Sequence, residues 1–258
     1  MSSVIKAIPD AVAPPRLEWR VASVVDARDE TPRAKTLVLD VPQWPGHRAG
    51  QHVDVRLVAE DGYQGQRSYS IASPPEDETV TLTVERLADG EVSPYLVELR
   101  PGDGLELRGP IGGHFVWNVA VGGPLLLVGG GSGVVPLMAM LRHYARADAA
   151  ARAAVPVRLL YSARTADDVF YRAELAQLAD QPLVDVVFTF TRGAPPAWTG
   201  YRRRIDRAMV EAVSWSPAAA PRAYVCGPTS LVESVATLLV DLGHAASLVR
   251  TERFGPTG

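Results

Sequence analysis

Apolar and polar residues alternate one for one along His52-Val53-Asp54-Val55-Arg56-Leu57 and again along Thr79-Val80-Thr81-Leu82-Thr83-Val84-Glu85. A period of two belongs to a strand with one buried face, and here it turns valine and leucine inward and threonine or charge outward. Residues 18–25, 35–41, 67–73 and 105–108 read as further strands. Turn formers separate them at Pro42, Pro45-Gly46, Asp61-Gly62, Pro74-Pro75, Asp89-Gly90 and Pro101-Gly102-Asp103-Gly104. Short strands at this spacing, with only a brief helix over 93–99, predict a small antiparallel β-barrel over residues 16–119. Residues 1–15 are polar, contain proline and show no period, so they predict a flexible tail.

After residue 119 the period changes. Residues 125–128 are continuously apolar, as in a strand buried on both faces of a parallel sheet. A glycine-rich turn follows, then residues 136–147 with Leu137, Met140, Leu141 and Tyr144 at helical spacing. Strands over 157–161, 184–189, 223–226 and 248–254 alternate with helices over 168–179, 205–213 and 231–242. Ser230 and Glu233 have the spacing of a capping box, and Gly243 stands where a helix would stop. This rhythm predicts an α/β doubly wound parallel sheet over residues 120–258.

Composition narrows the partners. With 26 basic against 29 acidic side chains the net charge is −3, which argues against nucleic acid or an anionic membrane surface as partner. The apolar stretch over 125–141 is interrupted by Gly129-Gly130-Gly131, Gly133 and Pro136, so it reads as strand, turn and helix and predicts no membrane insertion. Ala11-Val12-Ala13 imitates an export cleavage site, but Lys6, Pro9 and Asp10 interrupt the apolar run an export signal needs. A soluble, cytoplasmic protein is expected. Cys226 is the single cysteine, which excludes an internal disulfide, a cysteine-rich zinc site and a four-cysteine iron–sulfur cluster; no metal site is expected.

Four constellations carry candidate chemistry. Arg67-Ser68-Tyr69-Ser70 puts a cation and an aromatic ring on one strand face, either a phosphate clamp beside a stacking platform or a surface strand with Arg stacked on Tyr. Gly90-Glu91-Val92-Ser93 reads as a phosphate-accepting helix start or as a plain turn with Ser93 as N-cap. Gly129-Gly130-Gly131-Ser132-Gly133-Val134-Val135-Pro136 follows a buried strand and opens a helix, the setting of a nucleotide loop. It departs from G-x-G-x-x-G at Pro136, and no acidic residue follows at the ribose-binding distance. Cys226-Gly227-Pro228 ends a later strand, where open α/β sheets bind ligands.

In this order, R-x-Y-S at 67–70, G-x-x-S at 90–93, G-S-G-x-x-P at 131–136, C-G-P at 226–228 and the closing Glu252-Arg253-Phe254 resemble the ferredoxin–NADP⁺ reductase superfamily, over about residues 16–254. The resemblance implies a barrel that binds flavin, FAD rather than FMN, and an α/β domain that binds a nicotinamide dinucleotide. It implies Arg67 on the flavin pyrophosphate, with Ser68 beside it, Tyr69 against the flavin ring, and Ser70 near flavin N5. Gly90, Val92 and Ser93 would meet flavin phosphates, and Phe254 would cover the flavin face. Gly131, Ser132, Gly133 and Pro136 would lie under the dinucleotide phosphates, and Cys226, Gly227 and Pro228 beside the nicotinamide. Ser70, Cys226 and Glu252 would be the catalytic set, Glu252 as a solvent-linked acid. Ser162, Arg164, Arg192 and the run Tyr201-Arg202-Arg203-Arg204 could bind a 2′-phosphate, which points to NADPH before NADH, although the run reads equally as a solvated loop. Without an iron–sulfur cluster of its own, such a reductase would pass electrons to a separate acceptor: a ferredoxin, a flavodoxin or an oxygenase component. A reductase of free flavin or quinone, and a flavin-binding module without turnover, are the alternatives.

Overall fold

The computed structural model describes residues 17–58 and 62–255, so the expected tail over 1–15 lies outside the described residues. Six strands form the first sheet: β1 (Arg20–Thr31), β2 (Ala34–Asp40), β3 (His52–Val58), β4 (Gln64–Ser70), β5 (Val80–Glu85) and β6 (Gly104–Ile111). Their order is β4-β3-β6-β1-β2-β5 with antiparallel pairing throughout. The two edges meet where Ile71, just past β4, bridges Leu82 of β5, so the sheet closes into a barrel. Val53, Val55, Leu37, Leu82 and Leu107 are wholly buried inside it.

Three local expectations change. β1 runs on to Thr31, keeping its pairing with β2 past irregularities at Val25 and Glu30, with Asp26, Arg28 and Asp29 in register and exposed. The supposed solvent face of β5 is buried: the Thr83 hydroxyl meets that of Thr36 at 2.7 Å and accepts from Tyr171 of the second half. The helix expected over 93–99 is a single turn, α1 (Ser93–Leu96). Ser93 does not cap it; its hydroxyl accepts the N–H of Leu87 at 3.0 Å.

The second half contains β7 (Leu125–Gly130), α2 (Val134–Arg146), α3 (Ala149–Ala153), β8 (Val157–Thr165), α4 (Arg172–Ala179), β9 (Val184–Gly193), α5 (Arg207–Val213), β10 (Arg222–Pro228), α6 (Thr229–Asp241) and β11 (Val249–Phe254). All pairs are parallel, in the order β11-β10-β7-β8-β9. Alternate residues of β7 face opposite layers: Leu125 and Leu127 pack with α2 and α4, Leu126 and Val128 with α5 and α6. The chain steps outward from β7 to β9 and then restarts beyond β7 with β10. The switch point therefore lies between β7 and β10.

Gly243 ends α6 with a φ of +96°, as its position predicts. The capping box at Ser230 and Glu233 does not form. The helix already begins at Thr229 behind Pro228, and Glu233 instead pairs with Arg253. α4 starts later than expected because Asp168 accepts from the N–H and hydroxyl of Thr165, closing a separate turn over Ala166–Asp168.

The halves share one apolar core. Ala34, Ala49, Ala72, Phe115 and Trp117 pack in the same cluster as Leu137, Met140 and Tyr144 of α2. Polar links cross the seam: Glu30 accepts the N–H of Tyr171 at 3.1 Å, and Arg142 donates to the Ala72 carbonyl at 2.8 Å while gripping Glu174. Tyr224 and Arg250 both donate to the Val116 carbonyl. A continuous apolar seam holds two domains more firmly than a polar one. Among the described residues no helix is long and apolar enough to cross a membrane, and no group of three or more metal-ligating side chains gathers.

Candidate active site

Between the barrel and the carboxyl ends of the parallel strands lies a crevice of about 920 Å³. The barrel supplies one wall through Arg67, Ser68, Tyr69, Ser70, Gly90, Val92 and Ser93. The parallel sheet supplies the other through Gly131, Ser132, Ser162, Arg164, Arg192, Pro228 and Phe254. Motifs far apart in the sequence thus face one space.

On the barrel wall, Arg67 is half exposed and its Nη2 lies 3.1 Å from Oε2 of Glu91. An exposed pair of this kind is worth little, so the guanidinium can exchange the carboxylate for a phosphate at small cost. Glu91 therefore marks where an anion fits. Burial pushes the Tyr69 phenol up to about 12, against a smaller lowering by Arg67, so the ring stays neutral. Ser68 lines the crevice and donates its hydroxyl to Asp54 at 2.7 Å. The cause is strand alternation: Asp54 on β3 is the register partner of Ser68 and also accepts from Arg108 and Gln66. Ser93, as acceptor from Leu87, keeps its own proton to donate.

On the opposite wall, Gly131 has a φ of +55°, and nothing lies within 4 Å of where its Cβ would stand. That is an open cradle at the end of β7. Gly133 has the opposite reason to be glycine, since a Cβ there would sit 2.2 Å from the Cys226 carbonyl oxygen. Neither α2 nor α6 has a side-chain cap; the N–H of Val134 at the start of α2 turns back to the Gly131 carbonyl, and the positive ends of both helix dipoles lie beside the switch point. These features suit dinucleotide phosphates. Pro136 is the third residue of α2, where its missing N–H costs no helical bond. Gly133, Pro136 and Gly227 do not line the crevice; they are buried packing that brings β7, β10 and α2 together.

Cys226 and Glu252 stand behind the residues that line the crevice. Cys226 is 2% exposed, and burial, with Glu252 adding to it, raises the thiol so that it stays protonated. Glu252 is its register partner on β11. Burial pushes that carboxyl up to about 7. Its Oε1 lies 3.6 Å from Nδ1 of His52, and its Oε2 is buried without a hydrogen-bond partner among the described residues. Phe254, in register with Pro228, remains 38% exposed and lines the space.

Of the arginine run at 202–204, Arg204 enters the crevice, whereas Arg203 turns to Asp206 and Arg202 to the Trp198 carbonyl. Sequence reasoning did not single out the α6 lining. Ser230, Leu231, Ser234 and Val235 form one face of α6, and their i, i+4 spacing was a readable signal. His52, which lies beside Glu252 rather than in the crevice lining, gave none, because its neighbour is distant in the chain.

A family model described as an oxidoreductase FAD-binding domain matches residues 22–117, and one described as an oxidoreductase NAD-binding domain matches residues 127–237. The chain is 35% identical over 215 residues to ferredoxin–NADP reductase B of Sorangium cellulosum, covering 80% of this chain and 84% of that protein. It is 32% identical over 220 residues to the glycine betaine monooxygenase reductase subunit of Pseudomonas aeruginosa, covering 81% of this chain but only 57% of the relative. Among solved structures, an Amycolatopsis cytochrome P450 reductase superposes with a TM-score of 0.79 at 26% identity, covering 98% of this chain and 74% of that one. A Neisseria gonorrhoeae ferredoxin NADP⁺ reductase with bound FAD and NADP shares the fold, with a TM-score of 0.76 at 20% identity, covering 91% of this chain and 98% of that one. Barrel, switch-point crevice and paired family matches agree: the chain belongs to the ferredoxin–NADP reductase family and is an oxidoreductase with one FAD-binding and one NAD(P)-binding domain.

Proposed function

We propose that this protein takes a hydride from NADPH onto FAD and passes the electrons singly or in pairs to a separate acceptor, a ferredoxin, a flavodoxin or an oxygenase component. The observation that carries the reading is the shared crevice: Arg67, Tyr69 and Ser70 face Gly131, Ser132 and the bare end of α6 across one space. Bound there, FAD would supply hydride acceptance and onward electron release. The chain itself binds and orients. Arg67, Gly90 and Ser93 hold the flavin phosphates, Tyr69 offers a flat face, and Ser70 offers a hydroxyl near the reacting edge. Gly131, Ser132 and the N-termini of α2 and α6 would hold the dinucleotide against the flavin wall, where positioning lowers the barrier. Phe254, which lines the same space, would cover the flavin side of it.

The preference for NADPH rests on Arg164, Arg192 and Arg204, which all line the crevice. The nearest acid after β8 that reaches the crevice, Asp168, is engaged by Arg33 and Thr165 and is not free to bind a ribose hydroxyl. The reading also places the protein in the cytoplasm, where its reductant is regenerated, and gives this chain no iron–sulfur cluster. The test is anaerobic mixing of flavin-loaded protein with NADPH or NADH. Rapid bleaching, faster with NADPH and losing that advantage in Arg164→Ala, is expected. A flavin that neither nucleotide bleaches overturns the proposal, and turnover with free flavin but with no protein carrier overturns the acceptor assignment.

A further inference from the structure

β3 and β11 belong to different halves of the chain, and they approach one another at His52 and Glu252. The separation of 3.6 Å is within ion-pair range and beyond a direct hydrogen bond. His52 is the register partner of Ser70, which lines the crevice, while Glu252 is the register partner of buried Cys226. His52 thus sits opposite a crevice residue in the barrel sheet and 3.6 Å from the carboxyl behind the wall.

The other charges around the pair are engaged elsewhere. Asp54 on β3 accepts from Arg108, Gln66 and Ser68. On β11, Arg250 donates to the carbonyls of His114 and Val116, and Arg253 pairs with Glu233. On β10, Cys226 is a protonated thiol, and past β6 the imidazole faces Gly112, which has no side chain. Burial raises the carboxyl and lowers the imidazole, with Asp54 opposing the latter, so the two affinities for a proton converge.

We propose that His52 and Glu252 share one proton, and that His52 is the positioning residue that sets whether Glu252 is ionised beside the crevice. The two arrangements differ in where one proton sits, on nitrogen as imidazolium and carboxylate or on oxygen with both neutral, and it crosses the 3.6 Å gap through one bridging water or a small closing shift of the side chains. Its effect on turnover rests on the nicotinamide-to-flavin reading; the shared proton itself does not.

Histidine-ring NMR titration of the protein without flavin tests the proton directly. Glu252→Gln should lower the His52 midpoint by roughly one pH unit and leave His143, which is paired with Glu76, unmoved. An unmoved His52 overturns the proposal. In the flavin-loaded protein, His52→Gln should shift the inflection of the pH profile for anaerobic flavin reduction upward by a similar amount, with nucleotide affinity unchanged. The same inflection in both proteins also overturns it. If neither protein is reduced by either nucleotide, the functional reading fails while the NMR result still judges the pair.

Discussion

Gly133→Ala adds a single carbon at the point where α2 starts against the end of β10. The added atom would stand 2.2 Å from the Cys226 carbonyl oxygen and 2.5 Å from its carbon. Non-bonded heavy atoms settle at about 3.5 Å, so helix and strand must part by roughly 1 Å. Both obstructing atoms are backbone, so no side chain can turn aside, and the cost sits at the upper end of overpacking, about 3 kcal/mol. For a chain of this size that is a fall in melting temperature of roughly 6–12 °C. Gly131→Ala is the control. Its methyl meets nothing within 4 Å, and the strain is that of an L-residue at a φ of +55°, about 1 kcal/mol. That variant should melt within a few degrees of wild type yet bind the dinucleotide about tenfold more weakly, because its methyl occupies the cradle. Thermal unfolding by circular dichroism and nucleotide titration read the two effects. A Gly133→Ala protein that melts with wild type, or a Gly131→Ala protein that is the less stable of the pair, would refute the packing argument.

Arg67→Ala should lose flavin on gel filtration while far-UV dichroism shows the parallel-sheet half still folded; stoichiometric flavin in the variant contradicts the pyrophosphate role. Tyr171→Phe removes the buried hydroxyl bond to Thr83 across the domain seam and should cost about 1 kcal/mol in urea unfolding, with no cost meaning that the bond adds nothing to the seam. Glu252 is held at about 7 when folded against an ordinary 4.5. The folded chain thus binds the extra proton between those values, and this group's contribution to stability falls as pH rises through that window, levelling off above it. Glu252→Gln in the flavin-free protein should therefore gain on wild type by about 2–3 kcal/mol from pH 4.5 to pH 8, and a pH-independent difference between the two proteins would count against a carboxyl held protonated by its surroundings.

Periodicity and turn chemistry, which are local, determined a great deal without any structure: the alternating strands around Val53 and Leu82, the βα rhythm after residue 119, the glycine turn after β7 and the stop at Gly243. These depend on neighbours in the chain, and neighbours are what a sequence displays. The tertiary structure alone decided which candidates reach the crevice. Cys226, Gly133 and Pro136 belong to the right motifs yet are buried, because the order β11-β10-β7-β8-β9 packs the start of α2 on the end of β10. Which arginine of the 202–204 run turns to the crevice, and the His52–Glu252 pair, came into view only with the fold. Their partners lie far away along the chain, and a contact between distant residues is set by how sheets stack and where strand order reverses, which no local pattern encodes.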